Sequence, residues 1–367
     1  MTLPPTVSVV MAVYNGAVHL PETLKSLQAQ TLTDWELIAV DDCSRDDSVA
    51  VLERFGDSRI RVICSAENGG PVVARNRAFA EVRGRYVAGL DQDDLSLPER
   101  FAKQVPFLDR YPDTVLVSTA ADLLVDGKRQ PGQWPRPLSR ARIDWLMLIR
   151  NPIAWSSVMF RADAARRLDP FERPERRYVE DFDLYQRLRA HGRIDQIDEV
   201  LMLYRVHPGG ASQVYTDTMI AHAEDVLRDR HRALLGEGAP DIARLLVRHV
   251  MDGVPVPDRA TLDLLFGTLT SLRDTLLAQH SYSDAERDYM NGELGSLWWQ
   301  VTRTAVRAGT LGLHHSLTQG RPRPAFKQLP DLLASQAIGT ARRLKILPGT
   351  GRGTAAKGGG GGSSPPR

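Results

Sequence analysis

Cysteine is nearly absent from this chain: Cys43 and Cys64 are the only two among 367 residues. Two thiols cannot build a disulfide framework, and without paired spacing they do not form a zinc site, so a reducing cytosol is the expected setting. Long apolar runs are missing as well. The N-terminus has no basic segment ahead of an apolar stretch, and Val7 to Val13 falls far short of the ~20 residues that span a bilayer. Neither secretion nor a membrane span is expected. No G-x-G-x-x-G follows the first apolar run, and no glycine-rich loop ends in Gly-Lys-Ser or Gly-Lys-Thr, which excludes the usual dinucleotide fingerprint and the P-loop. Strong net charge is lacking too. At +2, with 42% hydrophobic and 25% charged residues, the composition is that of a soluble chain long enough for two or three domains.

The small total hides an asymmetry. From Arg321 onward nine basic residues face one acid, Asp331, whereas positions 1 to 320 hold 38 basic and 44 acidic residues. A basic C-terminal segment favours an anionic membrane surface. Trp298 and Trp299 would suit the same headgroup layer, although Leu294, Leu297, Trp298, Val301 and Ala305 share one helical face and read first as helix packing. Nucleic acid is not an expected partner, because the basic residues lack interleaved aromatics and the first half is acidic. The expected location is cytoplasmic, with peripheral contact at the inner face of the membrane.

What the sequence does contain is a regular alternation over its first hundred residues. Short β-branched runs at 7–13, 35–40, 60–63 and 86–90 are separated by helical patterns, such as Leu20, Leu24 and Leu27 at i, i+4 and i+7. Ser44 with Asp47 resembles a capping box for a helix carrying Val49, Leu52 and Phe55. That alternation predicts an α/β fold, a mostly parallel sheet with flanking helices. A looser α+β stretch follows, with a strand near 115–119, helices at 140–149 and 181–191, a C-terminal glycine at Gly192 and a last strand at 200–206. Beyond Thr216 the chain reads as helical, and after Pro348 it is too rich in Gly, Ser and Pro to order. The expected divisions are 1–112, 113–215, 216–348 and 349–367.

In open parallel sheets ligands bind beyond the carboxyl ends of the strands. Here those ends carry Tyr14-Asn15, Asp41-Asp42 and Asp91-Gln92-Asp93-Asp94. Three carboxylates within four residues repel one another unless a cation neutralises them, and hard oxygen ligands suit Mg²⁺ or Mn²⁺. The alternative is a helix cap, with Asp93 or Ser96 serving the helix that carries Pro98 in its first turn. Asp41 and Asp42 are either turn-forming acids or acceptors for a base N–H, with Tyr14 stacking nearby. Glu180-Asp181 is either the N-cap of the next helix or a pair whose mutual repulsion prepares a general base. Arg205 and His207 mark either a solvated strand end or a phosphate clamp and a metal ligand, and Arg75 either a surface residue or a diphosphate contact.

These elements succeed one another in a fixed order: Ser8 to Asn15, Val40 to Ser44, Ala74-Arg75-Asn76, Leu90 to Asp94, Glu180-Asp181 and Tyr204 to His207. Over residues 7–214 that succession resembles the family 2 glycosyltransferases of GT-A fold. The resemblance implies a nucleotide-diphospho-sugar donor, with Tyr14, Asn15, Asp41, Asp42, Arg75, Asp91 and Arg205 around it. It implies Mn²⁺ or Mg²⁺ on Asp93, Asp91 and His207, and Asp181, with Glu180 beside it, as the base that deprotonates an acceptor hydroxyl. Transfer would then invert the anomeric carbon, and the acceptor would be a carbohydrate or a lipid-linked glycan in polysaccharide or glycolipid synthesis. Trp134 and Trp155 fall in the acceptor half. Cys43 stands where the family often has glycine, and the extra acid Asp94 is expected to cap the following helix. The competing functions are a nucleotidyltransferase and a non-catalytic binding module for nucleotide sugars.

Overall fold

The computed structural model describes residues 3–316 and 329–344. In chain order it begins β1 (Val7–Val13), α1 (Leu20–Gln28), β2 (Trp35–Asp41), α2 (Ser48–Arg54), β3 (Ile60–Cys64), α3 (Pro71–Ala80) and β4 (Tyr86–Gly89). It continues with β5 (Leu95–Ser96), α4 (Arg100–Arg110), β6 (Thr114–Val125), β7 (Lys128–Gln130), α5 (Arg140–Leu146), β8 (Met159–Arg161), α6 (Ala162–Ala165), α7 (Glu180–Leu188) and β9 (Arg193–Val206). Helices α8 (Ala211–Val214), α9 (Thr216–Leu235), α10 (Ala239–Leu246), α11 (Arg259–Gln279), α12 (Asp284–Ala308), α13 (Leu313–Ser316) and α14 (Leu329–Arg343) complete it.

The nine strands form one sheet in the order β3-β2-β1-β4-β8-β6-β9-β5, with β7 paired to β6. Strands β1 to β4 run parallel, as their separation by helices demands. Strand β8 then enters antiparallel between β4 and β6, so the two expected halves of the α/β region share a single sheet. Leu20, Leu24 and Leu27 of α1 and Phe101, Val105 and Leu108 of α4 bury their stripes against β1, β2 and β4 in one core. This is the α/β architecture that the alternation predicts, with a helical C-terminal region after it.

Several local expectations change. The strand near 115–119 is twelve residues long, and the last strand starts seven residues early, at Arg193. Their long parallel pairing outweighs the charged residues of 193–199, which are weak strand formers on their own. Gly192 does not end a helix in left-handed conformation. It is small because a Cβ there would lie 2.7 Å from the Asp113 carbonyl oxygen.

The chain divides into two compact units, residues 1–252 with 268–292, and 253–267 with 293–367. In the second unit Trp298 is buried and meets Phe266 edge-on at 4.5 Å, so the apolar face of α12 is a packing face. No described helix is long and apolar enough to cross a membrane. Most of the basic segment expected to meet lipid, including Arg321, Arg323 and Lys327, lies outside the described residues.

Candidate active site

Parallel strands β1, β2 and β4 deliver their carboxyl ends to one side of the sheet, and register aligns Val13 with Asp41. Tyr14, 44% exposed, is held there by the side chain of Gln92: its N–H donates to Oε1 at 2.9 Å and its carbonyl accepts from Nε2 at 3.1 Å. Gln92 is therefore the clasp between the ends of β1 and β4. Asn15 turns the chain with φ +50°; its N–H donates to Ser44 Oγ and its Oδ1 accepts from Arg45 N–H. Ser44 is thus engaged by the β1 loop and forms no capping box. Helix α2 starts later, at Ser48, with no side-chain cap at Asp47.

The two acids at the end of β2 have separate tasks. Both carboxylate oxygens of Asp42 accept from backbone, Gly69 N–H at 2.9 Å and Gly70 N–H at 2.7 Å, which fixes the turn into α3. Gly70 has φ +86°, where a side chain would be strained and would strike Arg177. Asp41 spends only Oδ2, on Ser44 N–H at 3.0 Å; its Oδ1 is buried without a partner. Between them and the next helix, Cys43 sits at φ +65°, a region that penalises any Cβ. Cys43→Gly is expected to leave the fold intact and to raise stability by up to ~1 kcal/mol, the left-handed penalty less the extra unfolded-state freedom of glycine. A urea titration at neutral pH measures it, and a loss above that size would mean the thiol has contacts that matter more.

Arg75 is the hub beneath this surface. It is 5% exposed, and its guanidinium meets three carboxylates at once: Glu172 at 2.9 Å through Nε, Glu180 through Nη2, and Asp91 at 3.6 Å through Nη1. It also lies over the Trp155 ring, whose close approach depends on Gly89. Burial opposes its charge, but Glu172, Glu180 and Asp91 together hold it above the usual arginine range. One cation cannot neutralise three anions, so the cluster retains protons. Burial pushes Glu172 up to about 8 despite Arg75 beside it. Asp91 is pushed up to about 7 by burial, with the charges of Asp93 and Glu180 adding to the effect of burial and Arg75 opposing it.

Within the acidic quartet the structure separates the three aspartates. Asp91 leans to Arg75 and donates its backbone N–H to Ser156 Oγ at 3.0 Å. Asp93 is half-buried, with Oδ2 2.8 Å from His207 Nε2. Asp94 is buried and accepts from Arg205 N–H at 2.8 Å; burial, then Asp93 and Asp91, lift it well above the carboxylate range. Asp94 therefore does not cap a helix. Strand β5 intervenes, with Ser96 inside it, and α4 begins only at Arg100, after Glu99. Arg205 likewise serves the fold: Nε donates to Asp93 O at 2.8 Å and Nη2 reaches Glu22 at 2.5 Å, tying β9 to the quartet and to α1. Among the described residues no group of three His, Cys, Asp or Glu side chains is arranged around a common metal position. The expected trio of Asp93, Asp91 and His207 is brought together only as a pair, because Arg75 draws Asp91 away.

Asp181 lies in the first turn of α7, where Val179 holds the N-cap position without a side-chain bond. Asp181 is not the cap. Its Oδ1 accepts from Phe182 N–H at 2.7 Å and its Oδ2 from Asn151 at 2.9 Å, and it keeps part of its surface in solvent. Burial first, then the charge of Glu180, raises it to about 7, with Asp91 close enough to contribute. Glu180 is turned inward to Arg75, so the two neighbours divide: one anchors, one faces the cleft. Trp155 is core, and Trp134 packs edge-on against Tyr204.

Glu172, Asn151, Ser156 and Arg177 carry this geometry without having stood out in the sequence. Nothing local marks Glu172. Its partner Arg75 is 97 residues away, and only the packing of the 170–176 loop on α3 pairs them.

The sequence pattern of Glycosyl transferase family 2 matches residues 8–169. The Erwinia amylovora amylovoran biosynthesis glycosyltransferase AmsE is 32% identical over 203 residues, covering 54% of this chain and 75% of that protein. Among solved structures, Staphylococcus aureus TarS 1-349 in complex with UDP-GlcNAc superposes with a TM-score of 0.54 at 17% identity, covering 93% of this chain and 92% of that one. The mannosyltransferase PcManGT of Pyrobaculum calidifontis, in complex with GDP-Man and Mn²⁺, gives 0.50 at 16% identity over 94% of this chain and 88% of that one. These two likenesses speak to the GT-A fold. With the ordered strand-end acids, the match of pattern and the extent of the AmsE alignment, the chain belongs to the family 2 glycosyltransferases.

Proposed function

We propose that the enzyme moves a sugar from a nucleotide-diphospho-sugar to an acceptor hydroxyl, with inversion, in the biosynthesis of a cell-surface polysaccharide or glycolipid. The observation that carries it is Asp181: a partly open carboxylate raised to about 7, beyond the strand ends, backed by a closed ion cluster. A base with that pKa is poised to take a proton near neutral pH. Its two fixed hydrogen bonds from Phe182 and Asn151 hold it in place while it does so. Departure of the diphosphate from one face and attack from the face of Asp181 would invert the anomeric carbon. The AmsE relative, named for amylovoran biosynthesis, supports a polysaccharide product.

Donor recognition falls to Asp41 and Tyr14. The unpartnered Oδ1 of Asp41 is the acceptor that a ring N–H of a base would satisfy, and the exposed Tyr14 ring offers a stacking face beside it. Asn15 shapes that edge through its turn, and Asp42 holds the Gly69-Gly70 loop. Asp41→Ala is expected to weaken nucleoside diphosphate binding by about tenfold or more, since a hydrogen bond to a charged group is worth roughly 1.5–3 kcal/mol. Calorimetry with the preferred nucleotide measures it; unchanged affinity would move the base elsewhere.

Asp93 and His207 fit a divalent metal as a carboxylate–imidazole pair in hydrogen-bonding reach of each other, open to the cleft. Mg²⁺ or Mn²⁺ is commonly held by one or two protein ligands plus substrate phosphates, which is what this pair allows. When bound, the ion would neutralise charge on the departing diphosphate. Arg75, expected at the diphosphate, becomes instead the residue that positions Asp91 and Glu180. Incubation with a panel of nucleotide sugars and Mn²⁺ or Mg²⁺ tests the whole proposal: release of nucleoside diphosphate supports it, pyrophosphate would mark a nucleotidyltransferase, and binding without turnover a recognition module.

A further inference from the structure

A cavity of about 210 Å³ opens in the first compact unit, lined by Arg140, Asp144, Arg189, Gly192, Arg193 and His280 among its residues. It lies at the start of β9, whereas Arg205 of the candidate active site lies near that strand's end. Twelve residues of extended chain separate the two by ~40 Å.

The charges around this cavity do not balance. Asp144 is the one carboxylate lining it. It already receives Arg189, Arg140 at 3.9 Å and the Tyr282 hydroxyl at 2.8 Å. Arg193 reaches outward to Asp113 at 2.6 Å. That leaves Nη1 of Arg189 and Nε of Arg193 buried, with no hydrogen-bond partner among the described residues. Arg230 crowds the same group; burial, then the charge of Arg189, holds it below the usual arginine range. Four guanidinium groups thus share two carboxylates. With Arg140, Arg189 and Arg193 lining the cavity against Asp144 alone, the surplus of positive charge favours an anion there over a neutral guest.

We propose that this cavity is a binding site for a phosphoryl group, separate from the catalytic centre: Arg189 stands at the opposite end of α7 from Asp181, ~12 Å along the helix. A carboxylate offers two coplanar oxygens and one charge, enough for one guanidinium fork. A phosphate monoester offers three free oxygens and up to two charges, which matches forks arriving from α5, from the end of α7 and from β9. The volume exceeds that of a phosphate ion, so the group can arrive free or on a sugar. Its occupancy would tie α5, α7 and the 280–282 loop to the start of β9.

Calorimetry on the full chain tests this with inorganic phosphate, glucose 6-phosphate, glucose and acetate. Saturable binding of phosphate or glucose 6-phosphate, and of neither glucose nor acetate, is expected. Tighter binding of the sugar phosphate would show that the carrier enters the cavity, and tighter binding of free phosphate that the ion alone does. Arg193→Gln and, separately, Arg140→Gln should each weaken binding roughly tenfold, while Asp93→Asn, at the other end of the sheet, should bind as the parent does. Thermal melts of both arginine variants verify that they fold. No saturable binding, binding by both arginine variants as tight as the parent's, or loss of binding in Asp93→Asn would overturn the proposal.

Discussion

Asp181→Asn is expected to lower kcat by ~10²–10⁴-fold, the usual contribution of general acid–base catalysis, while donor affinity measured by calorimetry stays within about twofold of the parent. The amide keeps the size of the carboxylate and one acceptor oxygen, enough for the Phe182 N–H, while the hydrogen bond from Asn151 Nδ2 is given up. What it loses is the ability to accept a proton. The pH profile makes the test specific. A carboxyl group raised to about 7 is protonated and inactive below that value, so kcat at saturating donor should rise with pH and reach half its plateau near pH 7. That acid limb should vanish from the residual activity of Asp181→Asn. A parent profile flat between pH 5 and 8, or an unchanged kcat in the variant, would remove Asp181 from the role of base.

The second large effect concerns stability. Arg75→Ala would leave Glu172 and Glu180 facing each other in the interior without their cation. Removing one partner of a buried ion pair typically costs about 3–5 kcal/mol, which for a domain of this size lowers the melting temperature by roughly 10 °C. Most of the cost comes from the stranded carboxylates rather than from the lost contacts. The defect should therefore be smallest at low pH and grow as pH rises through about 8, where the parent's Glu172 ionises beside Arg75 while in the variant burial and Glu180 still oppose its charge. Thermal melts of parent and variant at pH 5 and pH 9 measure the difference. If the variant melts with the parent at both values yet loses donor affinity, Arg75 is a diphosphate contact after all and the cluster is incidental.

The strand-end acids were legible because their signal is local. An apolar run followed by carboxylates and a helix pattern fixes both the type of element and the side of the sheet on which the acids emerge. The same locality misled at the helix starts. Ser44, Asp94 and Asp181 are good capping residues by type, but each had a stronger distant claim: Ser44 the Asn15 backbone, Asp94 the Arg205 backbone, and Asp181 the Asn151 side chain. Capping preference is worth about 1 kcal/mol, small enough for tertiary hydrogen bonds to override.

The identity of the acids, their order and their attachment to parallel strands were determined by the sequence alone, since periodicity and strand ends depend on neighbours a few residues apart. Which acid does what was decided by the tertiary structure. Asp91 went to Arg75, Asp93 to His207 and Asp94 to the β9 backbone, across separations of 16, 114 and 111 residues. Glu172, with no local mark at all, became the main counter-ion of Arg75. The physical reason is that charge pairing is set by distance and burial in space. In the sequence these carboxylates look alike, and only the topology that pairs β8 with β4 and β9 with β5 tells them apart.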